Sequence, residues 1–152
     1  MTDRYRFNFY VNTEHRMLIA RVIGDMPSND YASRMAEAYA KVDEPWTYSR
    51  LIDFRRFDGH ITQGDVEEMA RQWADLTEGQ DFRADVAIVS FDPNYKIRAP
   101  IRSPYNFHET LCYFMDYHEA IGWLLAEDQE QYLERARAVP RKLHDDGRIR
   151  IV

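Results

Sequence analysis

Residues 17–54, MLIARVIGDMPSNDYASRMAEAYAKVDEPWTYSRLIDF, run through a strand, a helix and a second strand, and this order decides the fold. Met17 to Ile23 is almost continuously apolar and is closed by Gly24-Asp25, as a strand covered on both faces would be. Pro27-Ser28-Asn29-Asp30 then supplies helix-start chemistry, with Ser28 or Asn29 placed to accept from unpaired backbone N–H groups. Tyr31, Met35, Ala38, Tyr39 and Val42 follow at helical spacing and make one apolar stripe, which Asp43-Glu44-Pro45 stops. Tyr48 to Phe54, with Leu51-Ile52 inside it, reads as the next strand. A helix between two strands implies a parallel crossover, and so an α/β domain.

Toward the N-terminus, Tyr5, Phe7, Phe9 and Val11 alternate with Arg4, Arg6 and Asn8, which predicts a half-buried strand. The short polar link Asn12 to Arg16 favours an antiparallel hairpin with the strand that follows. Toward the C-terminus, Thr62-Gln63-Gly64-Asp65 resembles a capping box, and Val66, Met69, Ala70, Trp73 and Leu76 behind it predict an amphipathic helix. Asp85 to Ser90 has the pattern of a central strand. From Phe91 to Asn106, Pro93, Pro100 and Pro104 leave room for at most one or two helical turns. Thr110 to Phe114 predicts a strand and Glu119 to Leu125 a helix. Glu127 to Val139 either continues that helix or forms another, using Tyr132, Leu133, Ala136 and Val139, and Pro140 ends it. The closing Arg148 to Val152 alternates like a strand.

The chain has 152 residues, 45% of them hydrophobic, which fits one domain with one core. Lys and Arg number 20 against 26 Asp and Glu, a net charge of -6, which opposes nucleic acid or anionic lipid as a partner. Cys112 is the single cysteine, so no internal disulfide forms. The longest stretch free of charged or strongly polar side chains, Ala120 to Ala126, is far below the roughly 20 residues of a membrane helix, and MTDRYRFNFYV lacks a signal-peptide pattern. The expected location is the cytoplasm, of a bacterial type.

Taken in order, three groups of residues carry a family resemblance: Leu51-Ile52-Asp53-Phe54 with Phe57-Asp58-Gly59; Asp85-Val86-Ala87-Ile88-Val89-Ser90; and Tyr113-Phe114 with Glu119-Ala120-Ile121-Gly122-Trp123-Leu124. Over roughly residues 5 to 126 the chain resembles the SpoIIAA-like group of STAS-like proteins. That resemblance implies an α/β strand-helix superhelix with a mixed sheet of about five strands and an antiparallel first strand. Residues 1–126 are then the STAS-like domain, and residues 127–152 a C-terminal helical extension and tail beside it. The resemblance also implies a signalling or binding module rather than an enzyme with an established reaction. Some relatives are switched by phosphorylation of a serine in an Asp-Ser pair after the third strand; here Phe54 follows Asp53, and Thr62 is the nearby hydroxyl residue at a helix start. Thr62 is therefore both the predicted N-cap and the sole candidate phosphosite.

Open α/β sheets hold ligands beyond the carboxyl ends of their parallel strands. Two loops fit that place. One carries Arg55, Arg56, Asp58 and His60, and the other Asp92, Asn94, Tyr95 and Arg98. With Phe54, Phe57, Phe91 and Tyr95 as an aromatic wall, they suggest a site for a small amphipathic molecule whose anionic head pairs with Arg55 or Arg56. A hydrolase would use His60 as a base oriented by Asp58 or Asp92, but no nucleophile elbow or phosphate-binding glycine loop accompanies it. His108-Glu109 and His118-Glu119 do not extend to H-E-x-x-H, so no metal and no cofactor is expected. Asp65, Glu67, Glu68, Asp75, Glu78 and Asp81 against Arg71 make an acidic face, which suits either plain solvation or docking of a basic protein partner. Ile149-Arg150-Ile151 suggests a homodimer formed by adding an edge strand to a second copy.

Overall fold

The computed structural model describes residues 4–92, 101–102 and 108–138. Asn94, Tyr95, Arg98 and the Arg148 to Val152 strand lie outside them, as does Ile149-Arg150-Ile151.

The hairpin forms as the alternation predicts. Strand β1 (Tyr5–Asn12) runs antiparallel to β2 (Met17–Gly24), in register from Tyr5 opposite Gly24 to Asn12 opposite Met17. Gly24 ends β2 at φ 89°, a left-handed backbone that side chains avoid, and a Cβ there would run into the carbonyl oxygen of Arg4. The chain then enters helix α1 (Ser28–Ala40), a 3-10 turn (Pro45–Thr47) and strand β3 (Ser49–Phe57), parallel to β2. Pro27 occupies the N-cap position of α1, not Ser28 or Asn29, and no side chain caps it. The Ser28 hydroxyl instead accepts from the backbone N–H of Thr62 at 2.9 Å, tying the starts of two helices together.

Helix α2 (Gln63–Leu76) is capped as the sequence predicts, with the Thr62 hydroxyl accepting from the Asp65 N–H at 3.2 Å. Strands β4 (Ala84–Val89), β5 (Ile101–Arg102) and β6 (Glu109–Phe114) complete the sheet, and α3 (Tyr117–Leu125) and α4 (Gln129–Ala138) follow. The strand order is β1-β2-β3-β4-β6-β5, with β2 to β3, β3 to β4 and β4 to β6 parallel. The expected mixed sheet of five strands with an antiparallel N-terminal strand is present, and the two-residue β5 adds an antiparallel edge in the proline-containing stretch. Glu127 to Val139 resolves into a separate helix, α4.

Side-chain alternation sends each strand to two cores. Leu18, Ala20 and Val22 of β2 face α1 and α2, where they join Tyr31, Met35, Tyr39 and Trp73. Met17 of β2, Leu51 of β3, Ala87 and Val89 of β4, and Cys112 and Phe114 of β6 face α3 and α4 with Trp123 and Leu133. Met17 and Leu18 thus enter different cores from adjacent positions, which is why this run reads as apolar throughout. Cys112 is a fully buried thiol in the second core. No helix among the described residues is long and apolar enough to cross a membrane.

Candidate functional site

Strand β3 continues three residues past Phe54, so Arg55, Arg56 and Phe57 belong to the strand and not to the loop expected after it. A bulge explains the extension. Arg21 opposes Asp53 but Ile23 opposes Arg56, so Val22 faces two residues, Phe54 and Arg55. The extra residue puts Phe54 and Phe57, three apart in sequence, on one side with their rings 5.1 Å apart.

On that side the sheet and α2 are separated by a cavity of about 700 Å³. Ile52 and Phe54 of β3, Val86 and Ile88 of β4, and Leu111 and Tyr113 of β6 line the sheet wall. Val66, Met69, Ala70 and Trp73, the predicted apolar stripe of α2, line the opposite wall. Helix α2 leans on α1 through Tyr39 and Trp73, whose rings stand 5.0 Å apart edge to face. Phe57, His60, Phe91 and Asp92 also line the cavity.

Arg50 and Glu109 bring a buried ion pair to the cavity wall. Arg50, 7% exposed, and Glu109, 9% exposed, form an ion pair across the intervening β4. The Arg50 guanidinium sits 4.3 Å from the Trp73 ring centroid and donates to the Tyr39 hydroxyl at 3.3 Å. Among the described residues, Arg50 Nε and the Trp73 indole Nε1 are buried donors with no acceptor.

The residues singled out from sequence fall in several places. Phe54, Arg55, Phe57, His60, Phe91 and Asp92 all contribute to the cavity wall; Arg56 and Asp58 are exposed and do not. The guanidinium of Arg55 is engaged elsewhere: it grips Asp53 through Nε at 2.9 Å and Nη2 at 2.8 Å and lies 4.6 Å from the Tyr117 ring centroid. Arg21 donates to the same carboxylate at 3.0 Å. Burial acts to raise the pKa of Asp53, but the hydrogen bonds and charge of Arg55, joined by Arg21, outweigh it and hold the carboxyl below its usual value. His60 is exposed and makes no hydrogen bond to Asp58 or Asp92. The Thr62 hydroxyl donates to the Asp65 carboxylate at 3.0 Å in its capping position. No group of three or more His, Cys, Asp or Glu among the described residues is arranged to hold a metal ion.

Sequence reasoning missed Arg50, Glu109, Tyr39 and Trp73 as site residues. A signal was present for two of them. Arg50 shares the period-two spacing of Tyr48, Ile52 and Phe54, and Glu109 that of Leu111 and Tyr113, so each charge stands on an otherwise apolar strand face. Their pairing across β4 has no counterpart in sequence spacing.

The chain matches no family model and no curated protein. It is similar to a solved structure, an uncharacterised protein of the DUF3478 family with a SpoIIAA-like fold from Shewanella loihica PV-4. The two are 19% identical, the match covers 82% of this chain and 98% of that one, and the TM-score is 0.49.

Proposed function

We propose that this protein is a non-enzymatic binding module that carries or senses a small, mainly apolar molecule in the cavity between the sheet and α2. The supporting observation is that cavity: about 700 Å³, walled mainly by aromatic and aliphatic side chains, with the buried Arg50–Glu109 ion pair among its few polar groups. Ligand sites are commonly of this size and combine an apolar lining with few, fixed polar groups. An apolar stripe such as that of α2 ordinarily closes onto its sheet; here it faces one across a void, and a ligand would supply the missing contact surface. Phe54, Phe57 and Phe91 cover the apolar body of the guest, as the sequence suggested, while Arg50 and Glu109 meet its head in place of Arg55 or Arg56. Hydrolysis by His60 is not adopted, because neither Asp58 nor Asp92 orients the imidazole.

Native mass spectrometry of freshly purified protein tests the reading and also counts subunits. A retained small molecule is expected on the wild-type protein and not on Ala70→Phe, which fills the cavity from α2. Bare protein masses in both, together with no binding of added apolar probes, overturn it.

A further inference from the structure

Arg50 and Glu109 place a buried ion pair on the wall of the cavity. From the arrangement of Arg50, Glu109 and Trp73 we infer that the site selects neutral aromatic carbonyl compounds, of which a primary aromatic amide is the fullest match, and rejects the corresponding carboxylates. This rests on the cavity being the binding site.

The selectivity is electrostatic in origin. Arg50 and Glu109 are each at least nine-tenths buried and cancel one another's charge. A carboxylate drawn to Arg50 would arrive beside Glu109 with little water to screen the repulsion, and the compensation that makes the buried pair tolerable would be lost. A neutral carbonyl oxygen avoids that conflict. Two buried donors, Arg50 Nε and Trp73 Nε1, have no acceptor among the described residues, so the unmet demand on this wall is for an acceptor without a charge. The N–H groups of an amide add donors that suit the Glu109 carboxylate. Trp73 lies 4.3 Å from the guanidinium, and Tyr39 meets Trp73 edge to face, so a flat ring joins an existing aromatic cluster. The anionic head inferred from the loop arginines is thereby replaced: the Arg55 guanidinium is held on Asp53, and Arg50 is neutralised by Glu109.

The matched probes 2-naphthamide and 2-naphthoate have nearly the same size and shape and differ in charge at neutral pH. Isothermal titration calorimetry of the wild-type protein is expected to show the amide bound at least tenfold more tightly. Glu109→Gln keeps the side-chain shape but frees the positive charge of Arg50, and it is expected to reverse the order. The double variant Arg50→Leu/Glu109→Leu, which removes both charges, is expected to bring the two affinities within about threefold of each other. Equal or tighter naphthoate binding by wild type overturns the inference while leaving the cavity as the binding site. Failure of both probes to bind wild type, with Ala70→Phe equally inert, overturns the binding reading as well. Should Glu109→Gln not fold, the wild-type ratio alone decides.

Discussion

Asp53 is 2% exposed and holds two arginines at once, Arg21 and Arg55, on the face of the sheet turned to α3. Its depressed pKa gives this cluster a pH dependence of known sign. The stabilisation is fully present above the unfolded value near 3.8 and is lost as pH falls from there through the lower folded value. Asp53→Asn should therefore cost about 2 kcal/mol at neutral pH, between the values for exposed and buried pairs because both arginines remain about a third exposed. Urea unfolding at pH 7 and again below pH 4 measures this, and the gap between the two proteins should narrow in acid. The Arg50 and Glu109 pair predicts a different pattern. Arg50→Leu should cost about 3–5 kcal/mol by leaving a buried carboxylate unpaired, whereas Arg50→Leu/Glu109→Leu should recover most of that loss. A double-mutant cycle by chemical denaturation checks it. Phe54, Phe57 and His60 were legible as cavity-lining residues because they stand at or just beyond the end of an apolar strand; the pairing of Arg50 with Glu109 was not, because a charge inside a strand pattern does not reveal its partner two strands away.

Helix α2 was readable almost to its ends, since Thr62 announces the start and the stripe from Val66 to Trp73 keeps one period. Thr62→Ala should lower stability by about 1 kcal/mol, seen as a reduced melting temperature with little change in the sheet signal. Strand β3 was read three residues short because a bulge breaks the period-two alternation at Phe54 and Arg55, and no residue there marks it. Gly122 in α3 carries another hidden constraint. A Cβ there would collide with the ring and hydroxyl of Tyr132 in α4, and that hydroxyl donates to the Glu119 carbonyl at 3.0 Å. Gly122→Ala should loosen α4 at a cost of roughly 1–3 kcal/mol. Amide hydrogen exchange is the measurement: protection should fall over residues 129–138 and persist in β3 and β4.

The molecule as a whole is a sheet with α1 and α2 on one face and α3 and α4 on the other, and the two faces differ in how tightly they are filled. On the α3 face Leu51, Phe114, Ala120 and Trp123 are fully buried. On the α2 face several apolar side chains border a void. A guest that fills the void binds the folded state alone, so 2-naphthamide at 100 times its dissociation constant should add about 2.7 kcal/mol of stability and raise the unfolding midpoint by roughly 5–10 °C. Thermal melts across a concentration series check this, and Ala70→Phe should abolish the rise.

By itself the sequence determined the order of the elements up to β4, the antiparallel opening, the two-sided burial of β2 and the α2 cap, because each depends on periodicities and capping chemistry carried by near neighbours in the chain. Only the tertiary structure decided that α2 stands off the sheet, that Arg55 serves Asp53, and that Arg50 meets Glu109. Those outcomes arise where residues from different strands and helices compete for the same space and charge, and sequence separation carries no record of that competition.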